Sequence, residues 1–342
     1  MKRRDLIKGV AVLPLLATTT LSQKTASHKL IKPKRLKKGD TVAIIAPSSG
    51  ADEKQFEKAI QNMTDLGFKP ILGKYAREIN GFLAGTDEQR IADIHWAFSD
   101  KEIDAVWCVR GGDGLSRILP KIDYALIRKN PKIFMGYSDI TALHLAIHEN
   151  TGLVTFHGPV ASSTYADYPK KYVINTLITP VVPDKIEPSP DNVAKGTLLY
   201  KTQVITSGKA RGRLIGGNLS LLTALAGTPY AMRNLKGKLL FIEDVGERPY
   251  RLDRMFTQLK QSVNLRELAG IALGIFEGCD APDAKSQTVI DVVKDQLGGL
   301  GIPVIYGLSF GHIRDQFTFP LGVQAELDTG NSTMTLLESG VV

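Results

Sequence analysis

Cysteine is almost absent from this chain, which has only Cys108 and Cys279 among its 342 residues. Two isolated cysteines provide neither a disulfide framework nor a cysteine-rich metal cluster, and we interpret both as buried small apolar residues. The six histidines include no pair at the spacing of zinc ligands. The sequence therefore predicts no metal site, and we expect no cofactor.

The body of the chain has no excess of charge of either sign. The whole sequence carries a net charge of +8, but residues 1–40 contain eleven Lys or Arg against two Asp. The remaining residues contain 32 basic and 33 acidic side chains. The basic character is therefore confined to the N-terminal arm, and this pattern argues against a nucleic-acid-binding protein.

The N-terminus lacks an apolar run of the length that a membrane anchor needs. Its apolar segment, Gly9 to Ala17, is about half as long as a membrane-spanning helix. Basic residues precede this segment and small residues follow it, which is typical of an export signal. Residues 3–8, R-R-D-L-I-K, match the twin-arginine pattern R-R-x-L-x-K. We predict a bacterial protein exported to the periplasm, without a membrane span once mature; the alternative is a basic N-terminus leading into an apolar helix.

After the basic arm, short apolar runs alternate with segments of helical periodicity. This alternation predicts a doubly wound parallel α/β domain of the flavodoxin or Rossmann type, followed by a smaller C-terminal α/β domain that ends in a β-hairpin. A proline-rich, irregular stretch separates the two. The predicted parts are an export signal at 1–27, a basic linker at 28–40, an N-terminal domain at 41–165, a connection at 166–210 and a C-terminal domain at 211–342.

A glycine-rich loop, R-G-G-D-G-L-S-R at 110–117, directly follows the predicted strand at 105–109. Glycine-rich loops after strands often hold anions, and G-G-D-G is typical of the nucleotide loop of NAD kinases and lipid kinases. A nucleotide kinase would need further phosphate and metal contacts. Because the chain has neither a Walker loop nor a G-x-G-x-x-G motif, the sequence disfavours a kinase.

Ser138 is the last residue of a predicted strand at 132–138, at the turn into a predicted helix. At the carboxyl edge of a parallel sheet its hydroxyl would lie beside the free N–H groups of a helix N-terminus, as a serine nucleophile requires. The surrounding residues do not form the G-x-S-x-G elbow of α/β-hydrolases, and a helix cap is the alternative role.

An acid and a histidine follow strands of the predicted C-terminal domain. Glu243 ends a strand, where a buried acid needs a partner, although the charged residues after it can equally form a salt-bridged loop. His312 is the best-placed general base, since an imidazole can accept and return a proton near neutral pH. His157, before Gly158-Pro159, is expected to line the cleft.

Seven short motifs occur in order from about residue 36 to the C-terminus, and together they resemble the LD-carboxypeptidase family. These serine peptidases, family S66, include muramoyltetrapeptide carboxypeptidase. The motifs are P-S at 47–48, R-G-G-x-G at 110–114, G-Y-S-D at 136–139, H-G-P at 157–159, G-G-N-L-S at 216–220, E-D-x-x-E with Y-R-x-D-R at 243–254, and G-H at 311–312.

The resemblance implies a Ser–His–Glu triad in a cleft between two domains. Ser138 would be the nucleophile, His312 the base, and Glu243 the carboxylate that orients His312 and stabilises its cation. The implied substrate is a peptidoglycan stem tetrapeptide or muropeptide, cut at the L,D-peptide bond that holds the terminal D-Ala. The resemblance also suggests a homodimer.

The same resemblance gives the glycine-rich loop a role in peptide binding. Gly112 and the Asp139 amide are candidate oxyanion donors, and Arg110 is a candidate partner of the substrate's terminal carboxylate, with a structural salt bridge as the alternative. The family's loop usually has tyrosine where this chain has Asp113, so specificity is expected to depend on that residue. Two alternatives stay open: hydrolysis of another amide, such as a peptide antibiotic, and a non-catalytic periplasmic binding protein.

Overall fold

The computed structural model describes residues 28–342, and the predicted export signal at 1–27 lies outside them. No helix in the described part of the chain is long and apolar enough to cross a membrane. The structure has two lobes, each built around one sheet. We call them the first lobe, which contains Ser138, and the second lobe, which contains Glu243 and His312.

The first lobe alternates strands and helices along the chain. Its strands are short: β3 and β4 are completely buried and β1 is buried except at Thr41, as expected for a parallel sheet covered on both faces, whereas the edge strand β2 is partly exposed. The elements are β1 (Thr41–Ile45), α1 (Glu53–Asp65), β2 (Lys69–Leu72), α2 (Asp87–Ser99), β3 (Ala105–Cys108), α3 (Tyr124–Lys129), β4 (Ile133–Gly136), α4 (Thr141–Thr151) and β5 (Phe156–His157).

The order of the parallel strands in this sheet is β2-β1-β3-β4-β5. That is the flavodoxin-like order, in which the chain turns back between β1 and β3. The loops that leave β1 and β3 lie against one another at the carboxyl edge of the sheet, the edge at which such folds bind ligands. The first loop contains Ser48 and Ser49, and the second contains the glycine-rich segment at 110–114.

Local sequence explains where the first-lobe helices begin. Asp52 and Gln55 form a capping box at the start of α1, because each side chain accepts a hydrogen bond from the other residue's backbone amide. Thr86 and Gln89 do the same at the start of α2. Gly67, with φ of +88°, follows the end of α1, as glycine commonly does after a helix C-terminus.

The remaining helices and strands build the second lobe, except for one short strand that joins the sheet of the first lobe. Its parallel strands are fully buried at β9, β10 and β11. The elements are α5 (Asp167–Val173), β6 (Asp184–Ile186), α6 (Pro190–Ala194), β7 (Gln203–Thr206), β8 (Lys209–Asn218), α7 (Leu219–Ala224), β9 (Leu239–Glu243), α8 (Pro249–Ser262), β10 (Gly270–Gly274), α9 (Val289–Leu297), β11 (Val304–Leu308), β12 (Phe319–Pro320), β13 (Gln324–Asp328) and β14 (Thr333–Leu336).

The second sheet has the order β6-β14-β13-β8-β9-β10-β11-β7. Its centre, β8 to β11, is parallel, and antiparallel strands flank it on both sides. The predicted terminal hairpin is confirmed as β13 and β14. The fold-class prediction, a parallel-sheet domain followed by a second α/β domain, is therefore confirmed.

The two lobes share strands and contacts. β12, from the C-terminal part of the chain, pairs antiparallel with β5 and becomes an edge of the first sheet. At the other contact, Thr141 Oγ1 at the start of α4 accepts a hydrogen bond from the Asn218 amide at the end of β8, at 3.0 Å. The carboxyl ends of β4 and β8 therefore lie close together, and the residues that follow them share one cleft region.

Candidate active site

Ser138 lies on a sharp turn between a strand and a helix. β4 ends at Gly136, and Ser138 opens a short 3-10 turn that leads directly into α4. The φ angle of Ser138 is +66°, in the left-handed region that non-glycine residues rarely adopt. Backbone strain of this kind is concentrated at functional sites. The half-buried Ser138 therefore has the geometry of a nucleophile elbow, although the sequence lacks the G-x-S-x-G motif.

The glycine-rich loop after β3 lies directly against this turn. A Cβ atom added to Gly111 would be 2.9 Å from Ser138 Cβ and 3.2 Å from Ser138 Oγ. Real side chains do not tolerate the first of these distances, so only glycine allows the loop to approach Ser138 this closely. The close approach places the backbone of the loop beside the candidate nucleophile.

Asp139 fixes the loop in that position. Its buried carboxylate accepts hydrogen bonds from Ser48 Oγ and from the Leu115 amide, the latter at 3.0 Å. The same Ser48 hydroxyl lies 3.2 Å from the Asp113 carbonyl oxygen. Burial raises the pKa of Asp139 to about 6, although the Ser48 and Leu115 hydrogen bonds oppose this shift. The loops after β1, β3 and β4 are thereby tied together.

Gly112 provides a backbone amide within this loop. Its φ is +128°, and a Cβ atom there would lie 2.2 Å from Ser49 Oγ, so the position requires glycine. Among residues 28–342, no group accepts a hydrogen bond from the Gly112 amide. The amide of Asp139, one residue after Ser138, belongs to the turn that begins α4. These two positions are the candidate oxyanion donors.

Glu243 and His312 form a tight pair in the second lobe. Glu243 is the last residue of β9 and is fully buried, whereas His312 lies in the loop after β11 with 16% of its side chain exposed. His312 Nδ1 lies 2.6 Å from Glu243 Oε2. This distance fits a hydrogen bond in which Nδ1–H donates to a carboxylate, so that Nε2 is left to face the cleft.

The pair shifts the pKa values of both groups. Burial lowers the pKa of His312, but the charge of Glu243, the hydrogen bond to it and the charge of Asp244 together raise that pKa above its ordinary value of 6.5. Burial raises the pKa of Glu243, but His312 and His157 bring it below its ordinary value. The carboxylate therefore stays ionised and stabilises the imidazolium form of His312.

Tyr137 connects the two lobes at this point. It directly precedes Ser138, and its ring contacts the His312 ring edge-on, with centroids 4.8 Å apart. Within residues 28–342, Ser138 Oγ and His312 form no hydrogen bond. Catalytic hydrogen bonds are often long in the absence of substrate. The structure thus joins Glu243 to His312 by a hydrogen bond. Ser138 is next in sequence to Tyr137, whose ring contacts His312.

His157 lies elsewhere than expected. The side chain is 1% exposed, and its Nε2 lies 3.8 Å from Glu243 Oε1, on the side of the carboxylate away from His312 Nδ1. His157 belongs to β5, which is enclosed between β4 and β12, and this position buries the ring. The structure thus places the His157 side chain in the interior beside Glu243, whereas the sequence predicted that it lines the cleft.

Arg110 and Asp113 lie on the accessible side of the loop. Arg110 Nε donates to the Gly111 carbonyl at 3.2 Å, and Nη1 donates to the Gly50 carbonyl at 3.1 Å. These bonds orient the guanidinium and leave Nη2 for another partner. The backbone of Asp113 is held by Ser48 and Ser49, while its side chain is exposed.

Two residues with structural roles at the site had no assigned role in the sequence analysis. Arg90 is buried inside α2 and donates to the carbonyls of Pro47 and Gly114, so it ties the first two loops together. Its sequence context offers no signal for this role. Asn218 donates to Asp244 Oδ1 at 3.1 Å, behind Glu243. The G-G-N-L-S motif marked Asn218 but not its partner.

The described residues contain no group of three or more His, Cys, Asp or Glu side chains that could hold a metal ion. The site itself brings together a hydroxyl on a strained turn, a carboxylate–imidazole pair and backbone amides.

Comparison with known families matches both lobes. Residues 42–158 match the LD-carboxypeptidase N-terminal domain, and residues 211–327 match the LD-carboxypeptidase C-terminal domain. The chain belongs to the LD-carboxypeptidase family. The sequence-based predictions of this family and of a carboxypeptidase enzyme are confirmed.

Individual relatives agree with this assignment. The chain is 42% identical over 321 residues to the probable murein peptide carboxypeptidase of Bacillus subtilis, covering 91% of this chain and 95% of that one. It is 32% identical to the murein tetrapeptide carboxypeptidase of Pseudomonas aeruginosa, covering 84% and 92%. The structure of the microcin C7 self-immunity protein MccF, known from Escherichia coli, superposes with a TM-score of 0.80 at 28% identity, covering 91% of this LD-carboxypeptidase and 100% of MccF.

Proposed function

We propose that this chain is a serine carboxypeptidase of peptidoglycan peptides, which releases the terminal D-Ala from stem tetrapeptides by cutting an L,D-peptide bond. The observation that carries the proposal is the 2.6 Å contact between Glu243 and His312, opposite a serine held in a strained turn. Two relatives named for murein peptide cleavage support the choice of substrate.

The proposed reaction follows the logic of a catalytic triad. His312 Nε2 takes the proton of Ser138, whose oxygen attacks the carbonyl carbon before D-Ala. Glu243 accepts the Nδ1–H bond and stabilises the imidazolium that forms. The amides of Gly112 and Asp139 would stabilise the negative oxygen of the tetrahedral intermediate. His312 then protonates the departing D-Ala, and water hydrolyses the acyl-enzyme to restore Ser138.

Arg110 is the proposed partner of the free terminal carboxylate. Its Nη2 is available while Nε and Nη1 are held by backbone carbonyls, so the guanidinium is already oriented. A carboxypeptidase needs such a group, because its substrates differ from internal peptide bonds by that carboxylate. Replacing the substrate by its C-terminal amide should therefore raise KM strongly in wild type but little in Arg110→Ala.

The deciding experiment measures D-Ala release from a purified stem tetrapeptide. Wild type should release D-Ala, and Ser138→Ala, with an unchanged circular dichroism spectrum, should lose about 10⁴-fold or more in rate. Equal release by both proteins, or no release by wild type, would contradict the proposal.

A second candidate function is hydrolysis of a different amide. The similarity to MccF favours it, because MccF structures are described in complex with glutamyl sulfamoyl guanosine and aspartyl sulfamoyl adenosine. The same assay should include an aminoacyl sulfamoyl nucleoside as competitor substrate. A higher kcat/KM on that compound than on the tetrapeptide would favour the second function.

We further propose that the enzyme works in the periplasm as a homodimer. The proposed route is the twin-arginine signal at residues 3–8, which would give the enzyme access to intact wall stems. Light scattering of the purified mature protein would measure its mass, and a monomer at micromolar concentration would contradict the dimer.

A further inference from the structure

The buried carboxylate of Glu243 has one oxygen without a hydrogen bond. Oε2 accepts from His312 Nδ1, but Oε1 has no hydrogen-bond partner among residues 28–342. The residue has no exposed surface, so bulk water does not reach this oxygen. An ionised oxygen buried without a donor is costly, and native proteins rarely leave one so.

The group that faces this oxygen is His157. Its Nε2 lies 3.8 Å from Glu243 Oε1, and neither of its ring nitrogens has a hydrogen-bond partner within the described residues. The rings of Tyr137 and Phe241 approach the His157 ring edge-on, with centroids 6.1 and 5.3 Å away. Two buried polar groups that each lack a partner therefore face one another. A movement of under about 1 Å would bring them to the usual N–H···O distance of about 2.9 Å.

We propose that His157, as the neutral tautomer protonated at Nε2, donates to Glu243 Oε1 and is the positioning residue for the triad carboxylate. This inference rests on the proposed function of Ser138, His312 and Glu243. With a donor on each oxygen, the carboxylate cannot rotate away from His312, and Oε2 stays in the plane that Nδ1–H needs. His157 acts through Glu243 and does not contact the substrate.

The surroundings of the two histidines separate their roles. Burial lowers the pKa of His157 to about 4, against the attraction of Glu243 and with the repulsion of His312, so its ring is neutral at physiological pH. The pKa of His312 shifts the opposite way. Two histidines beside one carboxylate can have different roles when their pKa values are shifted in opposite directions. Here His312 would accept the serine proton, and His157 would remain a hydrogen-bond donor.

The other ionisable groups near Glu243 are already engaged or carry no charge at neutral pH. Asp244 accepts from the Asn218 amide group and from Ser220. His144 Nε2 lies 2.9 Å from the Gly136 carbonyl oxygen, and burial lowers the pKa of His144 to about 3. Burial raises the pKa of the Tyr137 hydroxyl, so it stays protonated. The Asn218 side chain also lowers the pKa of Glu243, but its amide nitrogen already donates to Asp244 Oδ1. Within the described residues, His157 is the group beside Oε1 whose ring nitrogens have no other partner.

The first test observes the tautomer directly and does not depend on activity. Long-range ¹H–¹⁵N spectra of the full chain labelled at histidine should show His157 protonated at Nε2 and unchanged from pH 5.5 to 8. His157→Gln assigns the signal by its loss. A proton on Nδ1, or a His157 titration near pH 6.5, would overturn the proposal.

The second test uses side chains of graded reach. The amide nitrogen of glutamine can occupy the position of His157 Nε2, whereas that of asparagine lies nearer the Nδ1 position and phenylalanine has no donor. His157→Gln should keep kcat within about five-fold of wild type. His157→Asn and His157→Phe should lose about 10- to 100-fold in kcat with little change in KM, the range seen when residues that hold a catalytic ligand are replaced. The acid limb of kcat should move to higher pH in the Phe variant, because the unshared carboxylate holds the His312 proton more strongly.

His144→Gln is the matched control. It replaces another buried histidine of the same region, which contacts the Gly136 carbonyl and not Glu243. Its acid limb should stay where wild type has it, even if stability falls. If His157→Phe does not fold, the kcat values of the Gln and Asn variants and the tautomer spectrum of wild type still test the positioning role of His157.

The outcomes separate this inference from the proposed function. If wild type releases D-Ala and Ser138→Ala does not, but His157→Phe keeps the wild-type kcat and acid limb, the positioning role is wrong and the triad stands. If wild type shows no peptidase activity, the proposed function fails, and the tautomer spectrum alone then decides whether His157 holds Glu243.

Discussion

Individual residues at the site show how burial controls acid–base behaviour. Glu243 and Asp139 are both buried carboxylates, yet the pKa of Glu243 falls while that of Asp139 rises to about 6. The difference is the partner: Glu243 faces an imidazole that can become a cation, and Asp139 accepts only from neutral donors. The first carboxylate is suited to stabilising charge, and the second to holding loops.

The pH dependence of the reaction should reflect the raised pKa of His312. The base must be neutral to accept the serine proton, so kcat/KM should rise with pH through the His312 pKa. Because that pKa is raised, the midpoint of the acid limb should lie above pH 6.5. A midpoint well below 6.5, measured on the tetrapeptide at constant ionic strength, would contradict this assignment.

Glu243→Gln should lower that midpoint and the rate together. The substitution removes the negative charge that raises the His312 pKa, while the burial that lowers it remains. The residual kcat should fall about 10⁴-fold, as when a triad carboxylate is replaced by its amide. The measurement is a pH–rate profile, with an NMR titration of His312 if turnover is too slow. Glu326→Gln, on the far strand β13 and paired with Arg211, should change neither.

Some residue roles were predictable from the sequence and others were not. The positions of Ser138, Glu243 and His312 after strands made them candidates, but only the motif resemblance linked them. The burial of His157 could not be predicted, because its enclosure depends on β12, which lies about 160 residues away in the sequence. Arg90 shows the same limit, since a long side chain inside a helix gives no sign of the loops it reaches.

At the scale of elements, the strand-to-helix turns determine the site. β1, β3 and β4 end at neighbouring positions of one sheet edge, and their loops are tied together by Ser48, Asp139 and Arg90. The buried parallel strands were predictable from apolar runs. β8 was not, because its sequence, K-A-R-G-R-L-I-G-G-N, contains three glycines and three basic residues and no long apolar run. Its hydrogen-bonded pairing with β9 and β13 stabilises it as a strand, although its own residues have low strand propensity.

The close approach of the glycine-rich loop predicts a severe effect of a single methyl group. Gly111→Ala places a Cβ atom 2.9 Å from Ser138 Cβ and 3.1 Å from the Tyr137 carbonyl oxygen, so the loop or the Ser138 turn must move. A displacement of about 1 Å at a reacting group can cost about 100-fold in kcat. The measurement is kcat on the tetrapeptide beside an unfolding curve. Gly299→Ala, where the added Cβ meets no atom within 4 Å, is the control and should keep wild-type kcat.

At the scale of the whole molecule, aromatic packing joins the lobes into one folding unit. Phe319 of β12 is fully buried and stacks on Phe241 of β9, with ring centroids 4.6 Å apart, while its backbone pairs with β5 of the first sheet. The predicted parts did not anticipate this exchange, because a two-residue edge strand carries no periodicity. The segment at 166–210, predicted as a connection, likewise contributes β6 and β7 to the second sheet.

Phe319→Ala should therefore destabilise both lobes in a single transition. Removal of a buried phenylalanine side chain costs about 3–5 kcal/mol in the free energy of unfolding. Urea unfolding followed by tryptophan fluorescence, which reports on Trp96 in α2 and Trp107 in β3, and by loss of activity should give coincident curves at a lower midpoint. Two separate transitions would contradict a shared core. Phe82→Ala, at a side chain that is 63% exposed, should shift the midpoint little.

The exchange of β12 also has a consequence for the order in which the protein is made. A ribosome completes β1 to β5 early. The strand that pairs with β5, β12, begins only at residue 319 of 342, and the proposed base, His312, precedes it by a few residues. A nascent or prematurely terminated chain therefore has the serine but neither the finished sheet edge nor the base. In the proposed mechanism, peptide-cleaving activity can therefore arise only when translation is nearly complete.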